Sequence, residues 1–276
     1  MNWEPFRADH SIVRATAYFS FPEPLNQDAL DNLIIAARKS ALSVGLNDRA
    51  ESLEPIQLQV PSGKNVVFQL GSSGINVVQA RQVMFRQLDQ EEKVINEFTV
   101  NSRTVLFSTF QYQRWQNFFP VIETILHAIC GTLSSQQDVE FNKFREVRLE
   151  YIDKFTALIP DADHYEIIAR PSPYLAPELL NRNHALHCHL GWFEFDAAQN
   201  RSLVNVNIDV GETQNLAKQE AVREISILTM KRIERIDGGA LESPLDRLSA
   251  LHDDLKLMFR QIITDKAAHR ISLAAE

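Results

Sequence analysis

Twice along this chain a run with apolar side chains at every second position gives way to a helical segment, then to further alternating runs, and then to one long amphipathic stretch. Period-two alternation turns one side of a strand toward a core, and spacings of three and four do the same for a helix. That order confines the chain to sheets with helices laid on a face.

In the first cycle Val13, Ala15, Ala17, Phe19 and Phe21 alternate with Arg14, Thr16 and Ser20, and Pro22 and Pro24 end the strand. Asn26 stands where an N-cap belongs, ahead of Leu30, Leu33, Ile34, Ala37 and Ala41 at helical spacing. Strand-like runs at Ile56–Val60, Val66–Leu70, Gln82–Leu88, Val94–Val100 and Thr104–Tyr112 read as an antiparallel meander. A helix carrying Trp115, Phe118, Ile122, Ile125, Ile129 and Leu133 on one side closes the cycle, with Pro120 starting its regular part near Asn117 or kinking it.

The polar stretch Ser134–Lys143 offers turn residues and nothing to bury, which marks a boundary. Beyond it Val147, Leu149, Tyr151 and Phe155 alternate with Arg148, Glu150 and Lys154. A proline-punctuated region to Leu180 is expected to hold one or two short helices, followed by strands at Ala185–Phe195, Ser202–Val210 and Val222 to about Ile233. The closing helix is expected to begin with Ser243 as N-cap, Pro244 at the first helical position and Asp246 at the third, and to reach about His269. The expected fold class is α+β, with two similar halves at residues 1–134 and 144–276 in a helix-grip or saddle-like duplicated architecture. No letter-by-letter repeat is present, so the duplication rests on element order.

Composition narrows the function classes. The 276 residues are 45% hydrophobic and 23% charged, as in folded globular chains, and only 9 are glycine, which disfavours folds built on glycine-rich phosphate loops. A net charge of −8 disfavours nucleic acid as a partner, since polyanion affinity comes from lysine and arginine neutralising phosphates. Cys130 and Cys188 lie far apart without a CxxC pattern, as expected for reduced thiols, and no apolar run reaches the ~18 residues of a membrane span. The expected location is the cytoplasm, away from membranes. No P-loop, GxGxxG, GxSxG, HExxH or EF-hand pattern is present.

The most specific chemical feature is HALHCHLGWFEF, where His187 and His189 share one face of a strand and Leu186, Cys188, Leu190 and Trp192 share the other. In the next strand Asn205, Asn207 and Asp209 form the polar face against Val204, Val206, Ile208 and Val210. Burying both apolar faces together excludes a two-residue connection and favours three or five. Three pairs His189 with Asp209, whereas five pairs His187 with Asp209 and His189 with Asn207. Either puts a histidine beside a carboxylate, a donor set that a divalent metal accepts, although a solvated sheet face is the commoner meaning of such a pattern. His164 and His184 are looser candidates. His252 falls within the stripe Leu245, Leu248, Leu255, Phe259 and Ile262, where a hydrogen-bonded core histidine is the favoured reading over a ligand. Arg223, Lys231, Arg232 and Arg235 are interspersed with acids and read as a mixed-charge surface.

The stretches YQRWQNF (Tyr112–Phe118), VRLEYID (Val147–Asp153), VNVNIDV (Val204–Val210) and LHDDLKLMFRQIITD (Leu251–Asp265) resemble a family of bacterial and archaeal proteins described as sporadically distributed. In that family the second motif tends to end in Asn where this chain has Asp153, and the third tends to carry two acids where this chain has Asn207 and Asp209. The resemblance implies no particular reaction. Its scattered distribution implies an association with mobile or defence loci. Asp209, Asn207, His252, Arg148 and Tyr151 are the candidate ligand-binding residues, with His187, His189 and Asp209 as an alternative metal set. The favoured functional reading is a non-enzymatic binding or regulatory protein, antitoxin-like or defence-associated, with no cofactor and a protein partner encoded nearby. The alternative is an enzyme or sensor using a divalent metal or small ligand at the His/Asp site.

Overall fold

Every second residue of β7 (Glu146–Ala157) is buried, from Val147 through Ala157, and this strand is the centre of the molecule. A computed structural model describes residues 1–55, 79–134, 144–157, 159, 161–175, 185–196, 200–215, 220–235 and 241–273. The strands expected at Ile56–Val60 and Val66–Leu70 lie outside these residues.

The remaining strands are β1 (Trp3–Pro5), β2 (Ile12–Ser20), β3 (Asp48–Pro55), β4 (Gln79–Leu88), β5 (Val94–Val100), β6 (Thr104–Thr109), β8 (Leu186–Phe195), β9 (Asn200–Asn215) and β10 (Glu220–Arg235). They form one ten-stranded sheet in the order β3-β4-β5-β6-β2-β7-β10-β9-β8, with β1 also paired to β7. All pairings among the described strands are antiparallel. The leading strands of the two expected halves, β2 and β7, pair at the middle, and each is flanked by the last strand of its own half, β6 or β10. The fold is thus α+β with a single continuous sheet.

Helices α1 (Gln27–Ser43), α2 (Trp115–Ser134) and α3 (Pro244–Ile262) lie on the sheet and are followed by the short α4 (Asp265–Arg270). Asn26 caps α1 as expected, its side-chain oxygen accepting from the Ala29 amide at 2.9 Å, and Leu30, Leu33, Ile34, Ala37 and Ala41 are all buried. Helix α3 packs on β7 and β10 through Leu248, Leu251, Leu255, Met258, Phe259 and Ile262. These faces join the inward residues of the sheet in one core.

Several boundaries depart from expectation for local reasons. α2 begins at Trp115 and carries Pro120 inside it. Ser243 adopts a left-handed conformation (φ 48°) and makes no side-chain cap, so α3 starts on Pro244, whose fixed φ and missing N–H suit the first helical position. The closing helix breaks at Ile263, which turns extended and bridges Ile168, and Thr264 then caps α4 by accepting from the Ala267 amide at 3.2 Å. Between β7 and β8 the described residues hold one 3₁₀ turn, His164–Glu166. β9 and β10 each run to 16 residues, because their hydrogen-bond ladder continues past the point where apolar alternation stops.

Candidate functional site

The register of β8 on β9 decides what the histidines face. Phe195 stands opposite Arg201, so the strands are joined through residues 196–200, the five-residue case. The Asn200 amide donates to the Asp196 carboxylate at 2.8 Å and its side-chain nitrogen donates to the same group at 2.7 Å, which ties the two strand ends together. His187 therefore lies opposite Asp209, and His189 lies opposite Asn207.

On this face the His187 Nδ1 contacts an Asp209 carboxylate oxygen, and the rings of His187 and His189 are 4.2 Å apart between centroids. One ligand atom from each of His187, His189 and Asp209 can be chosen so that all lie within 4.8 Å of one another. Ligands held about 2.1 Å from a tetrahedral ion stand roughly 3.4 Å apart, a difference that side-chain torsions can supply. The cluster is open to solvent, with the His187 side chain 73% and Asp209 45% exposed, so the contact alone contributes little stability. Cys188 is buried on the opposite face, outside the donor set.

The other expected binding residues separate. Asn207 shares the Asp209 face. Arg148 is also on it but two strands across and six residues along from Asp209, on the order of 20 Å away by strand geometry, with its guanidinium over the Tyr18 ring at 4.5 Å. Tyr151 and His252 lie on the helix face, so a site joining His252 to Asp209 does not form: the sheet stands between them. His164 is buried beside Arg223 and its ring lies tilted against Tyr165 with centroids 4.0 Å apart, and burial pushes its imidazole down to about 4. His184 lies outside the described residues.

The helix face holds a second group of polar side chains. The Tyr151 hydroxyl meets His252 Nδ1 at 2.9 Å, and the His252 ring stacks flat on Trp115, centroids 4.2 Å apart and planes 6° from parallel. Burial pushes His252 down to about 4 and Tyr151 well above the usual phenol range, so a neutral phenol meets a neutral imidazole. Tyr112 packs edge-on against Tyr151. Asp153 is 2% exposed and accepts a hydrogen bond from Ser11 Oγ at 2.6 Å, and burial pushes its carboxyl up to about 7. Asp153, Ser11, His10 and Thr229 carry polar groups into this core and are not among the candidate site residues, Asp153 standing only as a departure from the family's motif. One signal was available for Asp153: it occupies the inward parity of β7, shared with Leu149, Tyr151 and Phe155.

The basic residues expected on a mixed-charge surface divide between the faces: Arg232 has the outward parity of β10, whereas Lys231 has the inward parity, opposite Leu149 and Val204, and reaches α3. Lys231 bridges Glu194 at 2.9 Å and Asp254 at 2.8 Å, and Arg232 lies 3.8 Å from both Glu146 and Glu234. No described helix is long and apolar enough to cross a membrane. A scan of the sequence against protein-family models finds no match, and a search of curated proteins finds none either.

Proposed function

We propose that this chain is a metal-binding protein of the sensor or enzyme type, in which His187, His189 and Asp209 hold a divalent first-row transition ion. The observation that carries this reading is the convergence of two imidazoles and a carboxylate, with ligand atoms within 4.8 Å, on two paired strands. Mixed nitrogen and oxygen donors suit zinc, cobalt, nickel or iron(II) rather than magnesium or calcium, which prefer oxygen alone. Three protein ligands leave coordination positions for water or a small molecule, and an ion so held acts as a Lewis acid toward what occupies them. Asp209 serves either as a ligand or as the acceptor that orients the His187 ring.

The test is elemental analysis of protein purified without a histidine tag, equilibrated with zinc and dialysed. One equivalent is expected in the wild type and a loss of it in His189→Ala. Equal zinc retention in both proteins would sink the proposal.

A second reading, recognition of a protein partner, draws on the sheet edge. Among the described residues β8 is an edge strand, and Phe193 and Phe195 stand 54% and 59% exposed at the same parity as His187 and His189. Unpaired backbone groups beside exposed aromatics suit a partner that adds a strand. Replacing both phenylalanines with serine should abolish capture of the product of a neighbouring gene, and undiminished capture would remove this reading. The pairing of β2 with β7 also supports treating residues 1–134 and 144–276 as two versions of one plan.

A further inference from the structure

A cavity of about 350 Å³ opens on the helix face where the two halves meet. Its walls come from the start of β2, the segment entering α2, strands β7 and β10, helix α3 and the turn after α4. This volume is within the range of small-molecule sites, which run from roughly 300 Å³ upward and combine apolar walls with a few placed polar groups. Tyr112, Trp115, Leu255, Phe259, Ile271 and Leu273 supply apolar and aromatic wall.

Two of the polar residues lining it carry a buried atom without a hydrogen-bond partner. Thr229 is 1% exposed and its Oγ1 has no hydrogen-bond partner, and His10 is 5% exposed with an Nδ1 that makes no hydrogen bond of ordinary geometry. Both residues line the cavity, as does Asp153. A buried hydroxyl without a partner costs about 1–3 kcal/mol, so groups of this kind at one cavity are what a bound molecule would satisfy. The strand geometry contributes as well. The register of β2 on β7 slips between Ile12 and Arg14, so that Ile12 stands opposite Asp153, and this irregularity lies at the cavity wall. Arg114 and Lys256 also line the space, whereas its single carboxylate residue, Asp153, is buried and already bonded to Ser11.

We infer that this cavity binds a flat, mostly apolar organic anion, an aromatic or heteroaromatic acid, with its ring against Trp115 and Phe259 and its charge toward Arg114 and Lys256. Hydrogen-bonding groups on the ring satisfy Thr229 and His10. The inference is independent of the metal proposal, because the cavity and the His187 cluster occupy opposite faces of the sheet.

The experiment is calorimetric titration of the full chain with 2-naphthoate and with the neutral 2-naphthalenemethanol. The acid should bind with one-to-one stoichiometry and more tightly than the alcohol. Arg114→Gln should weaken the acid about 10-fold, the effect of losing one charge-assisted hydrogen bond, while leaving the alcohol unchanged. Thr229→Val, which keeps the shape of the residue, should change binding of a ring hydroxyl-bearing acid, 6-hydroxy-2-naphthoate, more than that of 2-naphthoate itself. His189→Ala should leave all three unchanged. Absence of saturable binding of the acid up to ~1 mM, the limit of weak recognition, would overturn the inference. So would equal affinity for acid and alcohol, or binding that is indifferent to both Arg114→Gln and Thr229→Val.

Discussion

Glu150 and Asp153 are carboxylates three residues apart on β7, and they meet opposite fates. Glu150 faces the open side of the sheet and accepts from Arg14 at 2.6 Å. Asp153 faces the helices, receives only the Ser11 hydroxyl, and is pushed up to about 7. On the open face charge is balanced by counter-charge, as also in Lys154 with Glu224 at 2.7 Å. At Asp153, on the covered face, burial instead favours the protonated, uncharged carboxyl. The same strand therefore carries an electrostatic surface on one side and a core with neutral polar groups on the other.

The largest expected difference between the faces is in packing. Leu149→Ala empties a fully buried position and should cost about 2–5 kcal/mol in urea unfolding. Arg14→Ala on the other side should cost under about 1 kcal/mol, since its partner keeps access to water. Equal costs would mean that the open face is not open.

Asp153 should next reveal itself through pH. Its folded pKa of about 7 lies above the unfolded value of ~3.9, so the folded state holds the extra proton and stability falls as pH rises between them. The full penalty, present above about 7, is on the order of 4 kcal/mol by that shift. His252 acts the other way. Its folded value of about 4 lies below the unfolded ~6.5, so stability is lost as pH falls through that interval. The two contributions oppose each other between about 4 and 6.5, and Asp153→Asn should uncover a stability that rises with pH there. It should also gain on the wild type at pH 8 compared with pH 5. A constant offset at both pH values would show that Asp153 is ionised throughout.

A smaller effect is expected where the covered face is already satisfied. Tyr151→Phe removes the hydroxyl that meets His252 Nδ1 and should cost about 1–2 kcal/mol by chemical denaturation, more than an exposed hydrogen bond returns. No measurable change would mean that the imidazole finds water instead.

Much of this contrast was legible in the sequence. Parity alone placed His187 and His189 together with Asp209 and Asn207 on one face, because a slip of one residue would have exposed Val204, Val206 and Ile208. What parity left open was the connection length, which rests on the register of β8 on β9, with Asp196 and Asn200 tying the strand ends together. The stripe on α3 likewise located His252 in the core, but not its partners, since Trp115 and Tyr151 come from other elements. Asp153, Thr229, His10 and Ser11 were not read as site residues for a different reason. A polar residue at an inward position looks like a lapse in a pattern until the opposing helix shows that it is enclosed. The break at Ile263 was hidden for the same kind of reason, because it depends on the bridge to Ile168 from a distant loop.

The separation of chemistry between the two faces is tested most directly by zinc affinity, measured by competition with a chromophoric chelator in the wild type, His189→Ala and Asp153→Asn. Loss of a metal ligand should weaken binding at least ~10-fold in His189→Ala, whereas Asp153→Asn, across the sheet, should match the wild type. Wild-type affinity in His189→Ala, or a comparable loss in Asp153→Asn, would contradict the account.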